Sequence, residues 1–160
     1  MIAYKFLRRG AVGPFSRFAW PTGSPGAWVE AEPHVCASGI HACDVDDLPY
    51  WIDAELWELE LDGAVRAERK LVAPRGRLLH RIESWDERAA HAFAESCAAA
   101  AAASGPGALA ADAAAYAASG EAATACFVSA RAAETAAGPA GYERERRRQA
   151  AWLREHLGLP

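Results

Sequence analysis

The sequence lacks several features that would assign it to a class at once. No window of the chain approaches a membrane span in length and hydropathy, and its first ten residues lack the apolar stretch of a signal peptide. Its four cysteines form no C-x-x-C pair and no framework typical of a secreted domain. With a net charge of −4, the chain also lacks the basic excess of non-specific nucleic-acid binders. We therefore expect a cytoplasmic protein with reduced thiols, no membrane partner and no specific nucleic-acid binding.

Lysine and arginine are absent from residues 18–65, although this segment holds ten acidic side chains. Basic residues lie on both sides of it, and Arg75 and Arg77 belong to the group that follows. If these segments pair in one sheet, opposite charges come to lie side by side, and the pattern is explained by self-complementarity. The alternative is a basic surface for a phosphate or an acidic partner, with Arg75 or Arg77 binding the phosphate.

The first half of the chain carries the patterns of β-strands. Residues 2–8 predict a first strand, and "LWELELDG" alternates so that Trp57, Leu59 and Leu61 share one face. "RKLVA" and "RLLHRIESW" predict two further strands. The segment "DVDDLPYWI", between the first strand and "LWELELDG", predicts one short helix over residues 44–52. Aspartates are favoured at a helix start.

The second half of the chain is dominated by alanine, which makes up about half of residues 89–137. Alanine has the highest helix propensity, and Gly-, Ser- and Pro-containing turns divide the region. The pattern predicts four helices, at 86–103, 108–118, 121–136 and 141–157. In the last of these, the periodicity turns the arginines largely away from the apolar face, namely Arg144, Arg146, Arg147 and Arg148.

These patterns together predict an α+β fold. We expect a small, twisted, mainly antiparallel β-domain over residues 1–84 and an alanine-rich helical bundle over residues 85–160. Alanine side chains let helices approach closely but bury little area each. The bundle is therefore expected to pack on the β-domain, so that the two form one compact unit.

The densest group of reactive side chains lies between residues 34 and 51. His34, Cys36, His41 and Cys43 are all possible zinc ligands. An extended chain puts His41 and Cys43 on the same face, but His34 and Cys36 complete the set of four only if the turn at residues 38–39 folds back, and we expect no metal. A thiol–imidazole pair of Cys43 with a histidine is a second possibility. The alternative for Cys43 is a small buried residue, which is also what we expect of the cysteines in the alanine-rich helices.

The order of elements over residues 39–63 is recognisable. A strand containing "GIHA" leads into a short helix that brings Tyr50 and Trp51 back, and a strand ending in "DG" follows. This order resembles the central block of the ADP-ribosyltransferase fold, where aromatic side chains clamp nicotinamide. The resemblance implies that His41 stands where the family has its tyrosine, and that Tyr50 or Trp51 stands near the second aromatic.

The same resemblance implies further residues and a cofactor. Tyr4 lies on the first strand, where the family has its ribose-binding histidine. Lys70 stands in the position of the family's late glutamate, and Glu68, two residues earlier, is the candidate for that catalytic role. NAD is the cofactor that this resemblance implies.

A second resemblance covers most of the chain. "GIHAC" followed by an aromatic, then "ELDG" and "KLVA", is similar to a family of small, uncharacterised bacterial and phage proteins with a G-[IL]-H-A-[CS] motif. The ending "RERRRQAAWLREHLGL" resembles the actinobacterial members of that family. This resemblance implies a turn-rich β-domain with alanine-rich helices, and it implies no catalytic residues.

Two functions follow from the sequence. The first, which we favour because no complete catalytic set can be named, is a non-catalytic binding or accessory module that docks a partner through its helices and needs no cofactor. The alternative is a protein that binds a small ligand or nucleotide, with ADP-ribosyltransferase-like group transfer centred on His41. Imidazole titrates near neutrality and would serve there as polar anchor or acid–base group. The walls of that pocket would be aromatic: Tyr4, Tyr50 and Trp51.

Overall fold

The computed structural model of the chain describes residues 1–33 and 38–160. These divide into two compact units, Met1–Glu83 and Ser84–Pro160. The first unit is mainly antiparallel β-structure and the second is helical, so the predicted α+β class is confirmed. Within the described residues, no helix combines the length and hydropathy needed to cross a membrane.

The first unit contains two antiparallel sheets. Its strands are β1 (Ile2–Leu7), β2 (Val29–Glu30), β3 (Ile40–Ala42), β4 (Glu55–Asp62), β5 (Val65–Ala67), β6 (Lys70–Ala73) and β7 (Arg75–Arg81). One sheet has the strand order β1-β4-β7-β2 and the other the order β3-β6-β5. Backbone hydrogen bonds of 2.8 Å in both directions between Tyr4 and Cys43 join β1 to the end of β3 and so connect the two sheets.

The core of the first unit lies between these sheets. Trp57, Leu59 and Leu61 are all buried in it, as the alternation of β4 predicts. Ile40 reaches the same core from the second sheet. At Gly76 of β7, a Cβ atom would lie 2.8 Å from Ile40 Cγ2, so glycine is what allows the sheets to approach there. β1 is buried on both faces, although Ile2 at its start is half exposed.

The predicted short helix is present as a 3-10 helix over Val45–Tyr50. Pro49 lies inside it, and a proline cannot donate the backbone hydrogen bond that a continuing α-helix requires. Leu48 of this helix is fully buried, and the helix contacts β1. The helix therefore covers part of the first sheet and returns Tyr50 towards the β5–β6 hairpin.

The segregated charges of the first unit are largely self-complementary. Arg77 pairs with Glu60 at 2.7 Å, and Arg75 lies 3.6 Å from Glu30. Arg66 forms an ion pair with Asp44. The first of the two explanations for the charge pattern, pairing between neighbouring strands and the 3-10 helix, is therefore confirmed for these residues.

The helical unit contains α1 (Glu87–Ala103), α2 (Ala108–Ala118) and α3 (Ala122–Leu157). α3 is interrupted at residues 137–138, where the backbone leaves the helical conformation and Gly138 adopts a φ of +66°. Glycine takes this left-handed conformation without steric cost. The four helices predicted from the sequence are therefore present, with the third and fourth meeting at this break.

Two of the four arginines of the last helical segment, Arg144 and Arg147, are exposed as predicted, but the prediction is wrong for Arg146 and Arg148. Arg146 is only 5% exposed, and its guanidinium lies 5.1 Å from the centre of the Tyr142 ring. Arg148 is half buried and makes two hydrogen bonds to Glu145, at 2.7 and 2.8 Å. Hydrophobic periodicity places apolar faces but does not anticipate an arginine that is buried with hydrogen-bond partners.

Candidate functional site

His41 lies in the middle of β3, between two core residues. Ile40 and Ala42 point into the core, so the alternation of the strand turns the His41 side chain to the other face of the second sheet. Its Nε2 atom is nevertheless buried, and it has no hydrogen-bond partner among residues 1–33 and 38–160. A buried polar atom without a partner is costly, which makes this nitrogen the feature of the β unit that most calls for a ligand.

The electrostatic surroundings keep the His41 imidazole neutral. Burial lowers its pKa below the ordinary value, and the positive charges of Lys5 and Lys70 lower it further. A hydrogen bond with the Gly39 backbone opposes this shift by raising the pKa, as expected when the ring donates to a carbonyl. Since Nε2 has no partner among the described residues, Nδ1 is the donor in that bond. Nε2 is then left with a lone pair, so it can accept a hydrogen bond or a proton.

Lys5 also lies near His41. The sequence does not single it out, because it is one of several basic residues near the start of the chain. It lies on the core side of β1, and its Nζ donates a hydrogen bond to the His41 carbonyl. Nζ also lies 5.8 Å from the centre of the Trp20 ring. Burial lowers the pKa of Lys5 to about 8. The signal that could have identified it is its position on a strand that is buried on both faces.

Tyr50 and Trp51 contact the tip of the β5–β6 hairpin. The guanidinium of Arg69 lies 4.2 Å from the centre of the Tyr50 ring, and Trp51 Nε1 donates to the Arg69 carbonyl at 3.2 Å. Glu68, in the same tip, is exposed and has a φ of +54°. The structure therefore places these three sequence candidates around Arg69, one residue before Lys70.

Tyr4 is buried and points to the face of β1 opposite Lys5. Burial raises the pKa of its phenol, and the negative charge of Glu58 raises it further. Its backbone holds Cys43 in place through the pair of bonds that connects the sheets. The described contacts thus give Tyr4 a structural role.

Arg75 and Arg77 form a separate group around Trp28. Their guanidinium carbons lie 4.3 and 4.7 Å from the centre of the indole ring. Arg75 also lines an open groove of about 540 Å³, in which three of the lining residues are acidic: Glu30, Glu32 and Asp62. The carboxylates offset the charge of both arginines, so this surface is not a strongly basic one.

Cys43 and its surroundings bear on both the predicted thiol–imidazole pair and metal binding. Burial raises the pKa of the Cys43 thiol well above its usual range, so the group is a thiol and not a thiolate at neutral pH. No three His, Cys, Asp or Glu side chains within residues 1–33 and 38–160 are grouped as they would be around a metal ion. His34 and Cys36, the other possible zinc ligands, lie outside the described residues.

Comparison with known proteins adds no assignment to this geometry. No protein-family model, no curated protein and no solved structure gives a significant match to the chain. The resemblances to the ADP-ribosyltransferase core and to the G-[IL]-H-A-[CS] family therefore stay predictions. The side chains around His41 are therefore the observations on which a function can rest.

Proposed function

We propose that the β unit binds a small anionic ligand of the nucleotide class at His41. The observation that carries the proposal is the buried Nε2 atom, which has no hydrogen-bond partner in the described part of the chain. A hydroxyl group of the ligand would donate to this nitrogen. That bond would remove the free-energy cost of an unpaired buried acceptor. It would therefore contribute more to the binding free energy than a hydrogen bond to an exposed group.

The charges around His41 favour an anion as the rest of the ligand. Lys5 and Lys70 are both close enough to influence the charge state of His41. A phosphate beside Lys70, which lies on the same face of the sheet as His41, and a ribose hydroxyl on Nε2 describe a nucleotide in outline. Tyr50 and Trp51, at the neighbouring hairpin tip, would supply the stacking surface.

Group transfer of the ADP-ribosyltransferase kind is the finer form of this proposal. A neutral imidazole with a free lone pair can accept a proton, which is the role that His41 would take. Glu68, exposed at the hairpin tip, would orient the acceptor, and NAD would be the substrate. Binding does not depend on this step, so the two are tested separately.

The first test is a thermal-shift measurement with NAD, ADP-ribose and nucleotides. A ligand at one hundred times its dissociation constant adds about 2.7 kcal/mol to the stability of the unit that binds it. For a unit of this size we expect the midpoint to rise by about 10 °C or more in the wild type, since each kcal/mol corresponds to about 4 °C or more. The His41→Ala variant should fold and show no shift, because the acceptor nitrogen is gone.

His80→Ala is the matched control for this experiment. His80 is exposed on β7 and lies 3.9 Å from Glu58, so its removal should leave the ligand response intact. Absence of a shift with every ligand in the wild type, or an equal shift in His41→Ala, would contradict the proposal. Release of nicotinamide from NAD, measured separately, decides whether transfer accompanies binding.

Docking of a protein partner through the helices is the second candidate function, and Phe127 is the observation that favours it. This ring is 53% exposed on α3. The exposed residues one turn before and after it are Ala123 and Arg131, so a small side chain leaves one flank of the ring open. The partner we propose is a second copy of the chain, because the same ring is then available on both sides of a symmetric contact.

Sedimentation at several concentrations tests this second proposal. The wild type should associate reversibly with increasing concentration, and Phe127→Ser should remain monomeric with unchanged stability. Ala151→Ser, exposed on the last segment of α3 and far along the chain from Phe127, is the control that should associate like the wild type. A wild type that stays monomeric at every concentration rejects docking between copies.

A further inference from the structure

Two thiols lie side by side in the interior of the helical unit. Cys97 is on α1 and Cys126 is on α3, and both side chains are completely buried. The thiols are hydrogen-bonded to each other, and both cysteines are reduced. We call these two residues the thiol pair.

The residues around the thiol pair are unusually polar for a bundle built from alanine. Arg146 donates to Cys126 Sγ at 3.2 Å and to Gln149 Oε1 at 3.1 Å, and Cys126 Sγ lies 3.1 Å from Gln149 Oε1. Gln149 is fully buried and also donates to the Cys126 carbonyl at 2.9 Å. Burying such a network costs desolvation that alanine or leucine would avoid, so its presence around two sulfurs calls for a reason.

The two sulfurs have different surroundings. The hydrogen bond with Cys126 lowers the pKa of Cys97, burial opposes this change, and the positive charge of Arg148 adds to the lowering. Burial raises the pKa of Cys126. The negative charge of a thiolate is therefore favoured on Cys97, and Cys126 keeps its proton. This asymmetry is what distinguishes an attacking from a resolving thiol.

A polar route connects the thiol pair to the surface. Arg148 interacts with Cys97 and also donates to Ser96 Oγ at 2.8 Å. Its side chain is 37% exposed, so one guanidinium spans the distance between the buried sulfur and solvent.

We propose that the thiol pair is a peroxide-sensitive site, at which Cys97 and Cys126 are joined reversibly in a disulfide. The contact between the thiols supplies the geometry, because the sulfurs are already neighbours across two packed helices. The polar network supplies the charge stabilisation, and Arg148 supplies the entry. This modification is independent of ligand binding in the β unit.

The chemistry requires hydrogen peroxide as oxidant and proceeds in two steps. The Cys97 thiolate attacks one peroxide oxygen, an S–O bond forms, the O–O bond breaks, and hydroxide leaves and takes up a proton as water. Cys126 then loses its proton and attacks the Cys97 sulfur, the S–S bond forms, and the second hydroxide leaves as water. In total, two thiols and one peroxide give one disulfide and two waters. A dithiol reverses the reaction by two exchanges.

Tryptic mapping of the intact wild-type protein tests the proposal directly. Residues 89–131 contain both members of the thiol pair and are bounded by Arg88 and Arg131, so they form one peptide. The other two cysteines, Cys36 and Cys43, fall together in the peptide of residues 18–66. After brief peroxide treatment and alkylation, peptide 89–131 should lose two hydrogen atoms in mass and take up no alkyl groups.

Peptide 18–66 is the internal control and should be alkylated at both cysteines. Dithiothreitol applied before alkylation should restore two alkyl groups to peptide 89–131, and Cys97→Ser should prevent the mass loss. The proposal is overturned if both thiols of peptide 89–131 remain after the control peptide has oxidised. Addition of oxygen without a disulfide, or a disulfide between two chains, also overturns it. Because the test uses the wild type, a variant that fails to fold does not affect it.

Discussion

Replacing Glu55 with alanine is expected to cost the β unit about 3 kcal/mol of unfolding free energy, because three hydrogen-bond donors, two of them buried, lose their shared acceptor. Glu55 is only 7% exposed at the start of β4. Its carboxylate accepts hydrogen bonds from the backbone N–H groups of Gly10 and Ala11 at 2.9 and 3.0 Å. It also accepts one from Trp57 Nε1 at 3.1 Å. Chemical denaturation followed by tryptophan fluorescence measures the loss.

The backbone at residues 10–11 explains why the loss should be large. Gly10 and Ala11 have φ values of +77° and +55°, and Ala11 is completely buried. Alanine in this left-handed region is strained, so the conformation persists only because its surroundings hold it. Successive N–H groups in this arrangement form an anion-binding concavity, and Glu55 is the anion that fills it.

The same carboxylate makes stability depend on pH. Burial raises the pKa of Glu55, but the hydrogen bonds from Gly10, Trp57 and Ala11 and the charge of Arg81 outweigh it, so the pKa lies below its ordinary value of 4.5. A group whose pKa is lowered on folding contributes stability above the unfolded value. That contribution is lost as the pH falls through the folded pKa. The stability difference between wild type and Glu55→Gln should therefore shrink below pH 4.5.

Asp62→Ala is the control on the same strand. Asp62 is exposed at the end of β4, and its removal should change stability by no more than about 0.5 kcal/mol. If Glu55→Ala costs as little stability as the control, the backbone N–H groups of Gly10 and Ala11 form hydrogen bonds with water in the variant. A pH-independent difference between wild type and Glu55→Gln would contradict the assigned pKa shift.

Local pattern was sufficient to predict most elements of this chain. The alternation of β4 and the alanine-rich helices depend on neighbouring residues only, and the structure confirms both. The break at Gly138 lies between the two predicted helices at 121–136 and 141–157. The ion pairs between strands were also predictable from the sequence. The acidic residues lie in a segment without lysine or arginine, so their basic partners must come from elsewhere in the chain.

What the sequence could not reveal depends on contacts between distant residues. In the sequence, Glu55 is one of ten acidic residues between residues 18 and 65. It is buried because its carboxylate binds the turn at Ala11, 44 residues earlier in the chain. Lys5 reaches the His41 carbonyl because β1 lies beside β3, which no local pattern states. Arg146 was expected on a solvated face, and it is buried because Tyr142 and Cys126 meet it in the bundle. Each case is a polar side chain whose partner lies elsewhere in the fold.

The helical unit should respond to loss of Glu145 as strongly as the β unit responds to loss of Glu55. Glu145 is 7% exposed, and Ser129, Arg148 and Gln149 all donate to its carboxylate. Glu145→Ala leaves these donors without an acceptor and is expected to cost about 3 kcal/mol, as breaking a buried ion pair from one side does. The measurement is urea denaturation followed by the helical circular dichroism signal.

Glu155→Ala separates this effect from a general loss of charge on the helix. Glu155 lies ten residues further along the same helical segment and is exposed, so its removal should cost no more than about 0.5 kcal/mol. Both variants change the net charge equally and replace the same residue type with the best helix former. A difference between them therefore measures burial and hydrogen bonding alone. Equal, small losses would mean that the polar network around Gln149 and the thiol pair contributes nothing to folding.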